Sequence, residues 1–217
     1  MRSDTTGTWT PVALSADLPS GTVMPACTRV GSIALWRSDS GRPTASADRC
    51  PHRGMRLSHG FVRGEALSCI YHGWSYAQAG NCLRIPAHPG LTPPETIRVA
   101  TQHVEEVGGV IWVAVGEPPD RPPQFDNLVP LRSLTANAGI AAMETAAGAK
   151  TGTDSLLRTS QKNSADLTLL LVAQEQDQTL IHVLLDRDTT PSQRVSASRA
   201  AETLRRAAEE LQAKGTA

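Results

Sequence analysis

The chain is short of aromatic side chains, and the few it has are unevenly placed. Only eight of its 217 residues are Phe, Trp or Tyr, and all eight lie at or before position 125. Residues 126–217 contain none. Because aromatic side chains bury the most area per residue, we expect the well-built core in the first half of the chain.

The chain also lacks an excess of charge of either sign. It has 21 basic and 21 acidic side chains, so its formal net charge is zero, and no basic stripe indicates nucleic acid or an anionic membrane as a partner. Residues 1–6 are polar and no apolar run follows them, which predicts neither a secretory signal nor a membrane anchor. These features together predict a cytoplasmic protein that binds neither nucleic acid nor membrane.

Cysteine is scarce, with four residues in the chain. In a secreted protein this even number would indicate two disulfides, whereas in a reducing compartment a cysteine is more often a metal ligand or a free thiol. Cys27 and Cys82 fit no ligand spacing. We therefore expect each of them to be a small buried or half-buried thiol.

Short apolar segments broken by Gly, Pro and Asp predict a mainly β (α+β) fold. The first domain is expected at 1–120 as a small β-sandwich, since the strong strand at 109–115 leads into a Pro-rich boundary. The second region, 121–217, is expected to contain a linker, a β-hairpin at 167–186 and a helix at 192–214. Between 124 and 163 the pattern supports only a short helix over 138–147.

Two short segments carry metal-ligand residues. Cys50 and His52 lie in the first segment and Cys69 and His72 in the second, with residues 53–68 between them. Zinc sites also use two Cys and two His, but zinc fingers usually pair Cys with Cys and His with His along the chain. One of each per segment is what a cluster needs when two thiolates bind one iron and two imidazoles bind the other.

The residues around these segments resemble the Rieske non-haem iron oxygenases, in the subgroup that contains vanillate and dicamba O-demethylases. The resemblance covers residues 8 to 120. It implies a Rieske-type sandwich and a Rieske [2Fe-2S] cluster, with Cys50 and Cys69 on one iron and His52 and His72 on the other. The motifs that carry it are Trp9 with Ala13-Leu14, Asp48-Arg49-Cys50-Pro51-His52-Arg53-Gly54, Tyr71-His72-Gly73-Trp74-Ser75-Tyr76, Ile85-Pro86-Ala87 and Gly109 with Ile111-Trp112-Val113.

Respiratory Rieske subunits are the alternative within the same fold, and this sequence departs from them. Met55 and Tyr71 stand where those proteins have the cysteines of a clamping disulfide, and Trp74 replaces a serine whose hydroxyl bonds to the cluster. Fewer hydrogen bonds to sulfur stabilise the reduced cluster less. We therefore expect a midpoint at the low end of the Rieske range, about −150 mV.

The oxygenase resemblance also implies a second site, a mononuclear iron bound by two His and one carboxylate. His182 is the only histidine after position 103. One histidine cannot form that site, and a strand position such as this one favours a packed or solvent-facing side chain. His59, His88 and His103 are expected on the surface. The second region then resembles a shortened catalytic domain without its metal motif, and the alternative is an unrelated extension.

These features predict an electron-transfer subunit that is not self-sufficient in oxygenation. The implied partners are a reductase as electron donor and, as acceptor, a mononuclear-iron oxygenase subunit or a further copy of this chain. The alternatives are a free ferredoxin-like carrier, a structural or regulatory subunit whose cluster is not the electron route, and a repurposed enzyme. Whether the chain is itself an enzyme stays open, and nothing in the sequence identifies a substrate.

Overall fold

The structure, a computed structural model, describes residues 7–159 and 166–215. The chain divides into two compact units, Met1–Pro122 and Pro123–Ala217, so the division falls two residues after the boundary proposed at 120. Residues 1–6, on which the prediction of no leader or anchor was based, lie outside the described residues. The described part contains fourteen strands and two α-helices, which confirms the mainly β fold class.

The first unit is built on a six-stranded antiparallel sheet. Its hydrogen-bonded order is β1-β10-β9-β4-β3-β2, so the first strand of the unit pairs with its last. The run predicted at 109–115 forms β10, in which every residue is buried. The strands are β1 Trp9–Leu14, β2 Thr22–Thr28, β3 Gly31–Arg37, β4 Pro43–Ala47, β9 Thr101–Val107 and β10 Val110–Ala114.

A smaller four-stranded sheet carries the candidate ligands. Its strands pair in chain order, as β5 Phe61–Arg63, β6 Ala66–Ser68, β7 Ser75–Ala77 and β8 Cys82–Arg84. The first candidate ligand loop connects β4 to this sheet, and the second joins β6 to β7. A buried cluster of side chains that includes Trp36, Leu57, Leu67 and Tyr76 packs directly against Cys50 and Cys69. Two aromatic side chains, Trp36 and Tyr76, therefore form part of the core beneath the ligand loops.

The second unit contains a four-stranded antiparallel sheet and two helices. The hairpin predicted at 167–186 is confirmed as the neighbouring strands β13 and β14. The helix predicted over 138–147 begins two residues later, and the helix predicted at 192–214 spans 191–213. The elements are β11 Leu128–Ala136, α1 Ile140–Ala147, β12 Leu156–Thr159, β13 Leu167–Ala173, β14 Thr179–Asp186 and α2 Pro191–Ala213, in the sheet order β11-β14-β13-β12.

Two strands of this sheet lie in the segment for which the sequence supported only a short helix. β11 pairs with β14 along its whole length, with a bulge between Pro130 and Arg132. β12 pairs with β13. Residues 160–163 of that segment lie outside the described residues. The pairing partners are distant in sequence, so local pattern did not reveal these strands.

The expectation that the well-built core lies in the first half of the chain is wrong. The second unit has a continuous core of its own, made of aliphatic strand residues and the apolar stripes of both helices. Met143, Leu169 and Ile181 are fully buried in it. Alanines on α2 at positions 197, 201 and 208 are also buried there, and their short side chains let the helix lie close to its neighbours. A core can therefore form here without aromatic side chains.

The last helix begins at a complete capping box. The Thr190 hydroxyl accepts a hydrogen bond from the Gln193 backbone N–H, and the Gln193 side chain accepts from the Thr190 N–H. Pro191 follows at the first helical position, where its fixed φ favours helix. On the exposed side Arg206 Nε lies 2.9 Å from Glu202 Oε1, an ion pair between residues four positions apart on the helix. Within the described part of the chain, no helix combines the length and the hydrophobicity needed to cross a membrane.

Candidate metal centre

The two candidate ligand loops share one backbone arrangement. In each, the Cys N–H donates to the carbonyl five residues on, and a Gly N–H four residues on donates back to the Cys carbonyl, all at 2.8–2.9 Å. Both glycines have positive φ, +72° at Gly54 and +70° at Gly73, a region that other residues adopt only with strain. The loops are therefore similar closed turns, and they differ in carrying the His two or three residues after the Cys.

The two thiols form the buried side of the site. Cys50 and Cys69 are each 2% exposed, and their side chains are within hydrogen-bonding reach of each other. Burial raises the pKa of the Cys69 thiol, and the backbone N–H groups of Tyr71 and His72, which point at its sulfur, act in the opposite direction. A thiolate in this setting needs positive charge close by, which iron ions supply.

The two imidazoles form the outer side of the site. The rings of His52 and His72 lie 4.7 Å apart, edge to face. The His52 ring stacks on Trp74 at 4.4 Å with an interplanar angle of 5°, and the His72 ring contacts Tyr71 at 3.9 Å. Partial desolvation, and then the charges of His72 and Arg53, lower the pKa of His52. A lowered pKa favours the neutral imidazole, which is the form that binds metal.

A buried carboxylate fixes the start of the first loop. Asp48, 4% exposed, accepts hydrogen bonds from the Ser58 backbone N–H at 2.7 Å and from the Ser58 hydroxyl at 2.9 Å. These bonds join the two ends of the segment that contains Cys50 and His52. The ligand loop is thereby closed by side-chain contacts as well as by its backbone turn.

Sequence reasoning missed a hydroxyl at the buried side of the site. Tyr76 Oη lies 3.1 Å from Cys50 Sγ, and the side chain is 2% exposed. Burial, followed by the hydrogen bond with Cys50, raises the pKa of Tyr76, so the phenol is neutral and can donate to a thiolate. The expectation that the cluster and its sulfur ligands accept few hydrogen bonds considered only the replacement of a serine by Trp74, and it is therefore incomplete. The signal was present, because Tyr76 lies in the motif two residues beyond Trp74.

Of the predictions for the two remaining cysteines, the one for Cys82 is confirmed and the one for Cys27 is wrong. Cys82 is buried, and its side chain lies close enough to Cys50 for their charges to interact. Cys27, predicted to be at least half-buried, is exposed on β2. Its partner in the register, Ser32, is the second residue of β3, beside the turn of the hairpin. The β-rich pattern could not distinguish the two faces of such a strand end.

The other histidines stand apart from the four candidate ligands. His59, His88 and His103 are exposed as predicted, and His103 Nε2 lies 3.2 Å from Glu117 Oε2. His182 is fully buried on β14, with Nδ1 3.0 Å from the Ser133 hydroxyl. Its role in the structure is that of a packed strand residue.

The donor set fits a [2Fe-2S] group. Two buried thiols lie together, two imidazoles lie together beside the surface, and backbone N–H groups point at sulfur. Among the described residues, no three His, Cys, Asp or Glu side chains are arranged around a single ion. The candidate ligands are instead arranged as two like pairs, one for each iron of such a cluster.

Comparison with known proteins identifies the class. Residues 8–101 match the model of the Rieske [2Fe-2S] domain. The chain thus carries a Rieske domain, and its cofactor is a Rieske-type [2Fe-2S] cluster. Its homologues and structural neighbours are Rieske oxygenases and related oxidoreductases, which confirms the resemblance found in the sequence.

Two curated relatives show how far the sequence similarity extends. Oxidoreductase NdmD of Pseudomonas putida is 44% identical over 115 residues, which is 52% of this chain and 20% of NdmD. The 3-chlorobenzoate-3,4-dioxygenase oxygenase subunit of Comamonas testosteroni is 34% identical over 110 residues, 50% of this chain and 26% of that protein. The chain therefore matches about a quarter or less of the length of these relatives.

The fold likeness extends over both units. Apo dicamba monooxygenase superimposes with a TM-score of 0.72 at 18% identity, covering 95% of this chain and 86% of that one. NdmA of Pseudomonas putida CBB5, a mutant with caffeine, gives a TM-score of 0.69 at 18% identity, covering 94% and 81%. At these identities the likeness describes the fold alone.

Proposed function

We propose that this protein is an electron-transfer component that takes single electrons from a reductase and passes them to a mononuclear iron on another polypeptide. Cys50 and Cys69 would hold one iron of the cluster, and His52 and His72 the other. A Rieske cluster, when bound, accepts and releases one electron at a time. The protein's own residues bind the cluster, protect its thiolate side and present its imidazole side.

The observation that carries this proposal is the different exposure of the two ligand pairs. The thiols are 2% exposed, whereas His52 is half-buried and His72 is exposed, with Tyr71 beside it 56% exposed. An electron partner that contacts this face therefore comes within a side chain's length of the imidazole-bound iron. The buried thiolates, by contrast, are shielded by the aromatic core.

The second part of the proposal is that the protein does not oxygenate by itself. Oxygen activation in Rieske oxygenases uses an iron with open positions, held by two His and one carboxylate. The only histidine after residue 103 is His182, which is buried and bonded to Ser133. We propose that residues 121–217 are a shortened counterpart of a catalytic domain, an interpretation that the fold likeness to dicamba monooxygenase supports.

None of the four cysteines, all of which lie in the described ranges, forms a disulfide, and this favours the cytoplasm as the compartment within this proposal. The acceptor would be an oxygenase subunit or another copy of this chain. A subunit whose cluster only stabilises or regulates a complex is the competing function. The two differ in whether the cluster changes redox state while the complex turns over.

A single-turnover experiment tests the proposal. Protein reduced to one electron per cluster is mixed with air and a panel of aromatic and methoxy substrates, alone and with candidate iron proteins from neighbouring genes. We expect reoxidation without product from the protein alone, and product only with a second iron protein. Replacement of His72 by Ala should abolish that activity.

His88→Ala, an exposed histidine outside the ligand loops, is the matched control and should leave activity unchanged. Product from the purified protein alone would contradict the proposal. Turnover of a complex during which the cluster stays oxidised would favour the structural role instead.

A further inference from the structure

The face around His72 exposes apolar side chains at the tip of the second ligand loop. Ile70 is 58% exposed and Tyr71 is 56% exposed. Leu83, on the neighbouring strand β8, is 49% exposed. Exposed large apolar side chains grouped on one face cost solvation free energy, and such groups mark surfaces that contact a partner.

Positive charge predominates in the segment that contains both ligand loops. From Arg49 to Arg84 the sequence contains five arginines and a single acidic residue, Glu65. Glu65 is hydrogen-bonded to the Ser40 backbone N–H and hydroxyl. The arginines are Arg49, Arg53, Arg56, Arg63 and Arg84, all exposed, and within the described ranges none of them forms a salt bridge.

Three of these arginines lie within or directly beside the ligand loops. Arg49 Nη1 lies 3.5 Å from the Gly54 carbonyl oxygen, across the first loop. Arg53 directly follows His52 in the first loop, and its side chain is exposed. Arg84 on β8 lies opposite Ser75 on β7 in the strand register. Ser75 follows Trp74 at the end of the second loop.

The cluster itself does not neutralise these charges in its oxidised state. Two ferric ions and two sulfides have a double positive charge, which the two thiolates cancel, and the imidazoles are neutral. Reduction would add one negative charge to a cluster held by the candidate ligands. The face is consequently most positive when the cluster is ready to accept an electron.

We propose that this face docks an electron donor whose surface around its own redox centre is acidic. The inference rests on the proposed electron-transfer function and specifies the chemistry of its donor. Carboxylates on the donor would pair with the arginines, while Ile70 and Tyr71 contact its apolar centre beside His72. Attraction would weaken after electron transfer, because the reduced cluster lowers the positive potential, and the donor would then dissociate.

The test compares a protein donor with a small donor of the opposite charge. A reduced plant-type [2Fe-2S] ferredoxin with a strongly acidic surface is the first, and the reduced methyl viologen cation is the second. Stopped-flow absorbance measures the reduction of the cluster at low and at high ionic strength. The variants are Arg56→Glu, Arg84→Glu and both together, which avoid Arg53 because its charge acts directly on a candidate ligand.

We expect the double variant to be reduced by the ferredoxin more than about tenfold more slowly than wild type at low salt. This difference should disappear at high salt, and the rate with methyl viologen should be unchanged or higher. Arg29→Glu is the matched control, since Arg29 is exposed at the turn between β2 and β3, outside the ligand loops. Its rate with the ferredoxin should stay within about twofold of wild type.

Equal rates for the double variant and Arg29→Glu with the ferredoxin would overturn the proposal. So would equal slowing with both donors, which would indicate damage to the cluster. A wild-type cluster that neither donor reduces would contradict the electron-transfer function itself. The visible spectrum of each variant confirms that its cluster is intact before the rates are compared.

Discussion

The cores of the two units are made of different kinds of side chain. In the first, aromatic side chains such as Trp36 and Tyr76 surround two thiols, and the loops above them carry imidazoles to the surface. In the second, aliphatic strand residues pack against two helices whose inner faces are rich in alanine. Residues 126–217 contain no aromatic side chain. The first unit encloses candidate metal ligands, whereas the second encloses an aliphatic core with a few hydrogen-bonded polar side chains such as His182 and Thr179.

This difference has a thermodynamic consequence. Buried thiols and converging loops are stabilised when a metal group links them, so cluster binding contributes to the folding free energy of the first unit. The second unit has no such dependence. We therefore expect the two units to respond differently to loss of the cluster and to loss of core packing.

The largest effect is expected from removal of a ligand. Cys50→Ser should reduce the iron content almost to zero and destabilise the first unit by a large part of the ~10 kcal/mol that a structural metal site contributes. Cys27→Ser, which changes an exposed thiol, should retain the cluster. Iron analysis and thermal unfolding followed by tryptophan fluorescence measure both. A Cys50→Ser protein with full iron content would refute the ligand assignment.

Truncation of a core side chain in the second unit should destabilise that unit and leave the cluster unchanged. Met143→Ala removes a fully buried side chain, and we expect a loss of about 2–5 kcal/mol in the unfolding of that unit. The visible spectrum of the cluster should stay unchanged. Val195→Ala, at a side chain 51% exposed on α2, should change stability by less than about 0.5 kcal/mol.

Urea unfolding followed by circular dichroism and by cluster absorbance separates the two units. Loss of cluster absorbance together with the Met143→Ala transition would show that the units unfold as one. The stability of the second unit would then depend on that of the first.

A smaller effect is expected at the hydroxyl beneath the cluster. Tyr76→Phe removes the donor 3.1 Å from Cys50 Sγ, and a hydrogen bond of about 1 kcal/mol corresponds to a fall in midpoint of about 40 mV for a one-electron couple. Tyr71→Phe is the control, because it keeps the exposed ring that contacts His72 and removes only a hydroxyl. Its midpoint should stay within about 10 mV of wild type.

Potentiometric titration of the three proteins measures these shifts. We expect the wild-type midpoint near the low end of the Rieske range, about −150 mV. An unchanged midpoint in Tyr76→Phe would show that the hydroxyl does not bond to the ligand sulfur.

The smallest effect concerns a part of the first unit outside the ligand loops. Arg37 Nη1 lies 2.8 Å from Glu106 Oε2, and their side chains are 10% and 33% exposed. Burial alone would raise the pKa of Glu106, but the hydrogen bond and charge of Arg37 bring it below its ordinary value of 4.5. The pair therefore stabilises the fold above about pH 4.5, and this contribution is lost as the pH falls through the lowered pKa.

Glu106→Gln should cost about 1 kcal/mol near neutral pH, and less as the pH falls below 4, without changing the cluster spectrum. Urea unfolding at several pH values measures this. A constant difference between wild type and variant across that range would show that the ion pair contributes nothing to stability.

Local pattern was enough for the parts of the fold that local sequence determines. The hairpin at 167–186, the capped helix α2 and the candidate ligand loops all follow from residues close together in the chain. β11 and β12 were missed because each is defined by a distant strand. The core of the second unit was missed because alanine and leucine were judged against aromatic residues, although close packing needs matching shapes rather than large side chains.

For the site, residue types and spacing named the candidate ligands, but contacts made by the intervening residues needed the fold. Trp74 and Tyr71 were interpreted only as replacements for other residues, yet their rings pack on the two imidazoles. The position of Tyr76 beneath Cys50 depends on how β7 pairs with its neighbours. Such contacts across a sheet cannot be read from spacing along one strand.

The most direct test of the account is the count of iron, acid-labile sulfide and zinc per chain in protein reconstituted under anaerobic conditions. We expect two irons, two sulfides and no zinc per chain, and we expect the iron to be lost in Cys50→Ser. One tightly bound zinc without sulfide would contradict the cluster assignment. A third iron per chain, bound outside the cluster and required for turnover by the pure protein, would contradict its proposed dependence on a partner.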